Sequence, residues 1–497
     1  MVIKTTKSLC PECGAVLPAE IIEEDNKIWI VRTCPEHGPF KALYWSDADM
    51  YRRYEQYEWE GSGVENPQKT ASIEECPTAC GLCNNHKSTT LLANIDLTNR
   101  CNLNCDFCFA NARACGFVYE PTFEQIVEML QMLRDEKPCP VPAVQFSGGE
   151  PTMRDDLVDI IKKAREMGIN QVQLATNGIK LSRDPEYVKE LKKAGLSTVY
   201  LHFDGVTKET NPFIRLSKKV IENCAACGQG VVLVPTVIKG QNDHEVGDII
   251  KFAAENIDVV RGINFQPIAF TGAASADDIL EKRITIPDLL HKIEETTDGV
   301  IKSDHFYPVP SVVPISKLIE KYSGKPQITF TAHQHCGAAT YAFVTEEGLV
   351  PINKMIDVDE FFEVMEKMGR HIEDPSVINK YKTMVESLKG VHSSLKKGEY
   401  SNSTQFWKML YHALVKHDFE ALKEFHWNAL FIGTMHFMDN YNYDVARVQR
   451  CCIHYATPDS RLIPFCTYNS GPVFREKVWR KYGQDIEELD PLENIDE

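Results

Sequence analysis

Two cysteine triplets, Cys76/Cys80/Cys83 and Cys101/Cys105/Cys108, repeat the spacing C-x3-C-x2-C within residues 76–108. Three thiolates so close together fit three corners of a [4Fe–4S] cube and leave the fourth iron without a ligand from the same loop. An open iron can bind and reduce something; a distant fourth thiolate would close the cube. The surroundings separate the two copies. LLANIDLT (91–98) precedes Cys101 and reads as a strand, so this loop leaves a strand's C-terminal end, where the active sites of β/α barrels form. Phe107, directly before Cys108, is placed to pack against an aromatic ligand. The next strand ends in SGGEPT (147–152), where Gly148 and Gly149 admit close backbone approach and Glu150 offers a carboxylate or a turn-stabilising acceptor ahead of Pro151. Nothing similar surrounds Cys76, which lies in the polar turn ECPTACGLCNNHKS. That triplet is expected to hold an auxiliary cluster, closed by Cys115 in the loop after Cys108. A zinc site from the same residues is the alternative.

Further cysteines lie on either side. CPEC (Cys10, Cys13) and CPEHG (Cys34, His37) flank IIEEDNKIWIVRT, an alternating pattern around a D-N turn that predicts a hairpin. Two ligand-bearing turns on a hairpin suit a zinc-ribbon or rubredoxin-like site for one zinc or iron ion; free thiols and a surface histidine are the plainer alternative. Cys336, Cys451, Cys452 and Cys466 suit a second auxiliary cluster, with one of the adjacent pair a bystander because two neighbours cannot both ligate one cluster without strain. Cys139, Cys224 and Cys227 read as small buried residues. The 17 cysteines are odd in number and cluster in a chain without an apolar leader, which favours metal ligation over a disulfide framework.

These residues need a scaffold. From about 91 to 270, six strand-like runs alternate with five helix-like ones, which predicts a parallel sheet curved into an open (β/α)6 barrel. The expected units are a metal-binding β module (1–60), an auxiliary-cluster segment (61–90), the barrel (91–270) and a mainly helical C-terminal region with the second auxiliary cluster (271–497). FWKMLYHALVKHDFEALKEFHWNALFIGTMHFM (406–438) reads as helical, either as a buried core or as the lining of an apolar channel. A net charge of −17 argues against a nucleic-acid partner and against electrostatic capture by an anionic membrane. No apolar run is long enough to span a bilayer, so a cytoplasmic location is expected.

CNLNCDFC, GGEPT, LATNG, HFDG and TVIKGQNDHE, in that order, resemble the radical S-adenosylmethionine (radical SAM) superfamily. The resemblance implies that SAM chelates the open iron at Cys101/Cys105/Cys108 and that Gly148–Pro151 hold its methionine amino group. Thr176, Asn177 and Asp204 would supply further polar contacts. Reductive cleavage of SAM would then give a 5′-deoxyadenosyl radical that abstracts hydrogen. Over the whole chain, the cysteine motifs with HCGAATY and CIHYATPDSRLIPFC are similar to the archaeal tetraether lipid synthases, once described as pterin-modifying methylases. That similarity implies three [4Fe–4S] clusters, one mononuclear ion and coupling of two phytanyl tails. It also implies a diether phospholipid drawn from the membrane's periphery and an electron donor such as ferredoxin or flavodoxin. A radical SAM methylase of a pterin, with Asp204, Asn264 and Gln266 at the barrel mouth, or a peptide-modifying enzyme is the alternative. A pure electron-transfer protein is disfavoured by the glycine turn and the three-ligand loop. Cys101→Ala is expected to abolish SAM cleavage while Cys76→Ala leaves uncoupled cleavage partly intact; 5′-deoxyadenosine release measures both, and equal loss would argue against separate roles.

Overall fold

Alternating apolar residues build the first unit. Val2–Leu9 (β1), Val16–Glu24 (β2), Lys27–Cys34 (β3) and Gly38–Trp45 (β4) form an antiparallel sheet in chain order. The expected D-N turn is present: Asp25 and Asn26 take φ of 53° and 57°, the left-handed pair that matches the twist of a two-residue hairpin. This computed structural model describes residues 1–108, 110, 116–271, 279–371, 429–471 and 474–485.

Leu92–Thr98 (β5), Ala143–Gly148 (β6), Gln171–Thr176 (β7), Thr198–His202 (β8), Gly230–Val234 (β9) and Val260–Pro267 (β10) pair in parallel, in chain order. Between them run Phe123–Arg134, Leu157–Glu166, Pro185–Ala194, Ile214–Cys227 and Val246–Glu255 (α1 to α5). Helix α1 shows why: Thr122 and Gln125 form a capping box at its start, and Ile126, Met129, Leu130 and Leu133 make one apolar stripe. That stripe joins Val144, Phe146, Val172, Leu174, Val199 and Leu201 in a single core. The helices therefore cover one face of the sheet, and the alternate strand residues take the other.

The parallel row extends past the six expected strands at both edges. Ala429–Met435 (β12) lies parallel to β10, and Ile453–Thr457 (β13) lies parallel to β5. Gly337–Thr345 (β11) then adds antiparallel to β12, and Arg461–Pro464 (β14) antiparallel to β13. ALFIGTM at 429–435 was expected to continue a helix and is a strand instead. Leu430 and Ile432 alternate into the core, and pairing with β10 and β11 on either side outweighs the helical character of the residues before it. The rest of that apolar stretch, 406–428, lies outside the described residues. Beyond residue 270 the described helices include Val313–Ser323, Val358–His371 and Phe474–Tyr482. No helix among the described residues is long and apolar enough to cross a membrane.

Two polar joints tie late residues to early ones. Asp444 accepts hydrogen bonds from Thr6 (2.6 Å) and Tyr44 (2.8 Å), fixing the N-terminal sheet to the C-terminal region. Arg475 donates to Asp96 on β5 (2.7 Å) and to the Tyr455 hydroxyl (2.9 Å), with the Tyr455, Tyr468 and Trp479 rings about its guanidinium. Asp96 also accepts from Ser147 (3.0 Å). Removing one member of such a buried pair strands the other charge. Arg475→Met should lower stability by about 3–5 kcal/mol, read from chemical denaturation; a change within error would show that Asp96 finds other support.

Candidate active site and metal centres

The ends of β5, β6 and β7 meet at one point of the barrel mouth. Gly149 N–H donates to the Thr98 carbonyl (2.7 Å) and Glu150 N–H to the Arg100 carbonyl (2.8 Å), so the glycine turn is bonded to the residues entering Cys101. Only glycine allows this approach. A Cβ on Gly148, whose φ is +130°, would lie 2.1 Å from the Thr98 carbonyl oxygen, and one on Gly149 2.3 Å from that of Arg100. Glu150 points inward, 1% exposed, and accepts from Thr152 N–H (3.1 Å), Thr152 hydroxyl (2.6 Å), Thr176 hydroxyl (2.8 Å) and Asn177 N–H (2.8 Å). Burial pushes its carboxyl pKa up, against the pull of these donors. Asn177 reaches on to Asn102 in the cysteine loop (2.7 Å). Glu150, Thr176 and Asn177 thus form a brace under Cys101, and the Thr176 hydroxyl is committed to Glu150.

Around this brace Cys105 is exposed and Cys101 and Cys108 are half-buried. Burial raises Cys101 to about 12 and Cys105 to about 11, so their thiolate forms require a compensating cation. Leu103 N–H donates to the Cys101 sulfur (3.4 Å). Phe107 packs with Ile238, Ile268, Phe270 and Ile279, so its ring joins an apolar patch at the mouth. Asp204 is shared between His202 (2.8 Å) and Thr236 N–H (2.8 Å), and its charge raises the His202 pKa. The face of the sheet away from the helices carries Asn94, Asp96, Gln145, Gln173, Tyr200 and Asn264 on one side and apolar Val232, Val234 and Phe431 on the other.

At the other metal-like centre, Cys10, Cys13, Cys34 and His37 place their donor atoms within 4.8 Å of one another. His37 Nδ1 lies 3.5 Å from Cys34 and 3.8 Å from Cys10, and the Cys13 and Cys34 sulfurs are 4.0 Å apart. The hydrogen bond to His37 lowers the Cys34 thiol, and the same contact raises His37. Three sulfurs and one imidazole at this range are the donor set of a tetrahedral zinc or iron ion.

Residues 95–253 match the Radical SAM superfamily, and residues 2–46 match the HMPTM N-terminal zinc ribbon domain. A Methanocaldococcus jannaschii protein named 7,8-dihydro-6-hydroxymethylpterin dimethyltransferase is 51% identical across 99% of this chain and 98% of its own length. The chain belongs to the radical SAM superfamily. Other likenesses are partial. A Methanosarcina barkeri Fe-coproporphyrin III synthase is 35% identical over 48% of this chain and 55% of itself. A Clostridium acetobutylicum GTP 3′,8-cyclase is 34% identical over 39% and 61%.

Membership brings SAM and a [4Fe–4S] cluster as cofactors, and the three-thiol loop over the Glu150 brace has the donor chemistry to hold them. Among the described residues only the Cys10, Cys13, Cys34 and His37 donors form a set within 4.8 Å of one another; the other cysteine sets share surroundings without that close approach. Cys76, Cys80 and Cys451 all pack against one apolar cluster that contains Cys466, Tyr443 and Tyr468. Burial raises Cys76 to about 11 and Cys80, Cys452 and Cys466 each to about 12. Cys336 receives a hydrogen bond from Arg447 Nε (3.4 Å), and its charge reaches Cys451, Cys452 and Cys466. Cys115, expected to close the first auxiliary set, lies outside the described residues. Cys139 and Cys224 are buried as expected, and Cys227 is partly exposed. Sequence reasoning missed Arg447, a buried cation between Cys336 and the His436 carbonyl (2.6 Å). Its signal was an arginine on the cysteine-bearing segment ARVQRCC, indistinguishable there from a surface residue.

Glu150→Gln replaces an acceptor of four donors by an amide that must turn an N–H toward some of them. Stability should fall by about 1–3 kcal/mol and equilibrium binding of SAM should weaken. Unchanged SAM affinity would remove Glu150 from the site's support.

Proposed function

We propose that this chain is a radical SAM methylase of a polar heterocycle of the reduced-pterin type, forming new carbon–carbon bonds on that ring. The observation that carries this reading is the row of polar side chains on the inner face of the barrel. Asn94, Gln145, Gln173, Tyr200, Asn264 and Gln266 offer donors and acceptors suited to a ring rich in nitrogen. The full-length relative named a pterin dimethyltransferase supports it. SAM at its cluster supplies a 5′-deoxyadenosyl radical able to take hydrogen from an unactivated carbon, and the methyl group would come from a second SAM that leaves as S-adenosylhomocysteine, with the reductant supplying the electrons. The chain's own residues do the rest. The Glu150 brace holds the cysteine loop, Phe107 and its apolar neighbours exclude water on one side, and the polar strand face orients the ring. Cys76, Cys80 and Cys83, and Cys336, Cys466 and one of Cys451 and Cys452, would hold two auxiliary clusters that pass electrons from an external donor protein such as ferredoxin or flavodoxin.

A second reading, coupling of two phytanyl tails into tetraether or macrocyclic diether lipid, is favoured by a different observation. Four further thiols, Cys76, Cys80, Cys451 and Cys466, on one apolar cluster suit a reaction that activates two unreactive carbons in turn and must hold an electron or a carbon between steps. The apolar sequence at 406–428 supports the same reading, with lipid drawn in at the membrane's periphery.

One reconstitution decides between them. The anaerobic protein with SAM and reductant receives 6-hydroxymethyl-7,8-dihydropterin in one vessel and a diether phospholipid in another. Mass spectrometry should find the pterin heavier by one or two methylene units and the lipid unchanged. Unmodified pterin beside lipid that has lost two hydrogens per new bond would overturn the first reading for the second.

A further inference from the structure

One buried group of cations near the barrel mouth has more donors than partners. Arg283 is 6% exposed and sets Nη2 against both carboxylate oxygens of Asp439, at 3.0 and 2.8 Å. Among the described residues its Nε and Nη1 have no partner. Arg32, 4% exposed, donates Nε to the Leu9 carbonyl (2.7 Å) and Nη2 to the Asn440 carbonyl (3.0 Å), which leaves Nη1 unpaired among the described residues. Both ring nitrogens of His436, 1% exposed, lack a partner among the described residues as well. Arg32 holds the carbonyl of Asn440, the residue directly after the Asp439 that pairs with Arg283, and His436 lies three residues before Asp439, so one short segment brings the three together. Buried guanidinium donors are rarely left unmade in a folded protein, because each forfeits its hydration without return.

The place of this group matters as much as its charge. His436, Asp439 and Asn440 follow the C-terminal end of β12, on the face where β10 also ends. Phe270 donates its N–H to Asp439 (3.1 Å), and the Arg283 guanidinium lies 5.1 Å over the Phe270 ring. Phe270 in turn shares its apolar patch with Phe107 of the cysteine loop. One aromatic layer therefore separates Arg283 from the radical-generating loop. Among the described residues Asp439 is the carboxylate paired with Arg283, while Arg32 donates only to carbonyl oxygens. Neutral waters would fill the unpaired donors but would leave the excess positive charge; an anion answers both.

We propose that Arg283, with Arg32 and His436 beside it, anchors a phosphate-type oxyanion carried by the substrate. This goes beyond the reading of the reaction, since neither a pterin ring nor an isoprenoid tail is itself anionic. The group recognised is the phosphate of a head group or of a phosphorylated side chain, held at a fixed distance from the loop while the reacting carbon extends into the barrel. Charge-assisted hydrogen bonds from guanidinium nitrogens are the usual means of holding such a group.

The test is a binding measurement on the full-length, anaerobically purified protein, so it stands apart from which product the enzyme makes. Inorganic phosphate and glycerol phosphate are titrated separately by calorimetry at constant ionic strength. Both should bind saturably, and Arg283→Lys should weaken both by about tenfold or more. The lysine keeps the ion pair with Asp439 and loses the other N–H directions. Tighter binding of glycerol phosphate identifies a head group as the source; equal binding identifies phosphate alone, and either supports the site. A second readout needs no variant: phosphate should raise the thermal midpoint of the unmutated protein, and chloride at the same ionic strength should not. Absence of saturable binding and of a midpoint rise, or equal affinity in Arg283→Lys, would overturn the proposal.

Discussion

Glu150 takes hydrogen bonds from four donors on two strand ends, and the shape of the barrel mouth follows from that demand. A buried carboxylate is tolerable only when its lone pairs are met, so the turn after β6 and the turn after β7 must stay where they are. The glycines before it let the same turn press against the carbonyls of Thr98 and Arg100. Three strand ends and one cysteine loop become a single rigid piece. The loop's thiols inherit their place from hydrogen bonds that none of them makes.

Around that piece, thiols far apart in sequence come to share surroundings. Cys76 and Cys80 precede the barrel and Cys451 and Cys466 follow it, yet all four meet one apolar cluster. The cluster also takes in Leu9 and Tyr443, next to Asp444, the residue that docks the N-terminal sheet. A buried arginine, Arg447, faces Cys336 and gives the C-terminal set a fixed positive neighbour. Thiolates gathered in apolar surroundings need such compensation, whether from a metal or from a guanidinium.

Much of this was legible in the residues. The six parallel strands and their helices were readable because period-2 and period-3.6 patterns alternated with glycine breaks, as at GGEPT and LATNG. The four donors of the zinc ribbon were readable because two short turns on a hairpin leave few other arrangements. The role of Glu150 was half visible: the sequence offered a carboxylate or an acceptor, and only the geometry shows the acceptor role filled four times. The strand at 429–435 was hidden because its pairing partners, β10 and β11, are remote, and remote pairing outweighs local propensity. Arg283, Asp439 and His436 were hidden for a related reason. Charged residues on separate segments carry no common spacing, and only the fold makes them neighbours.

The parallel row is completed at both edges by residues from the last third of the chain. β5, which leads into the cysteine loop, has β6 on one side and waits for β13 on the other. During synthesis the outer edge of β5 therefore remains open until almost the whole chain has emerged. In that interval the thiols at 76–83 and 101–108 exist without their late neighbours, so a growing chain holds its ligands at an edge its own sheet has not yet closed.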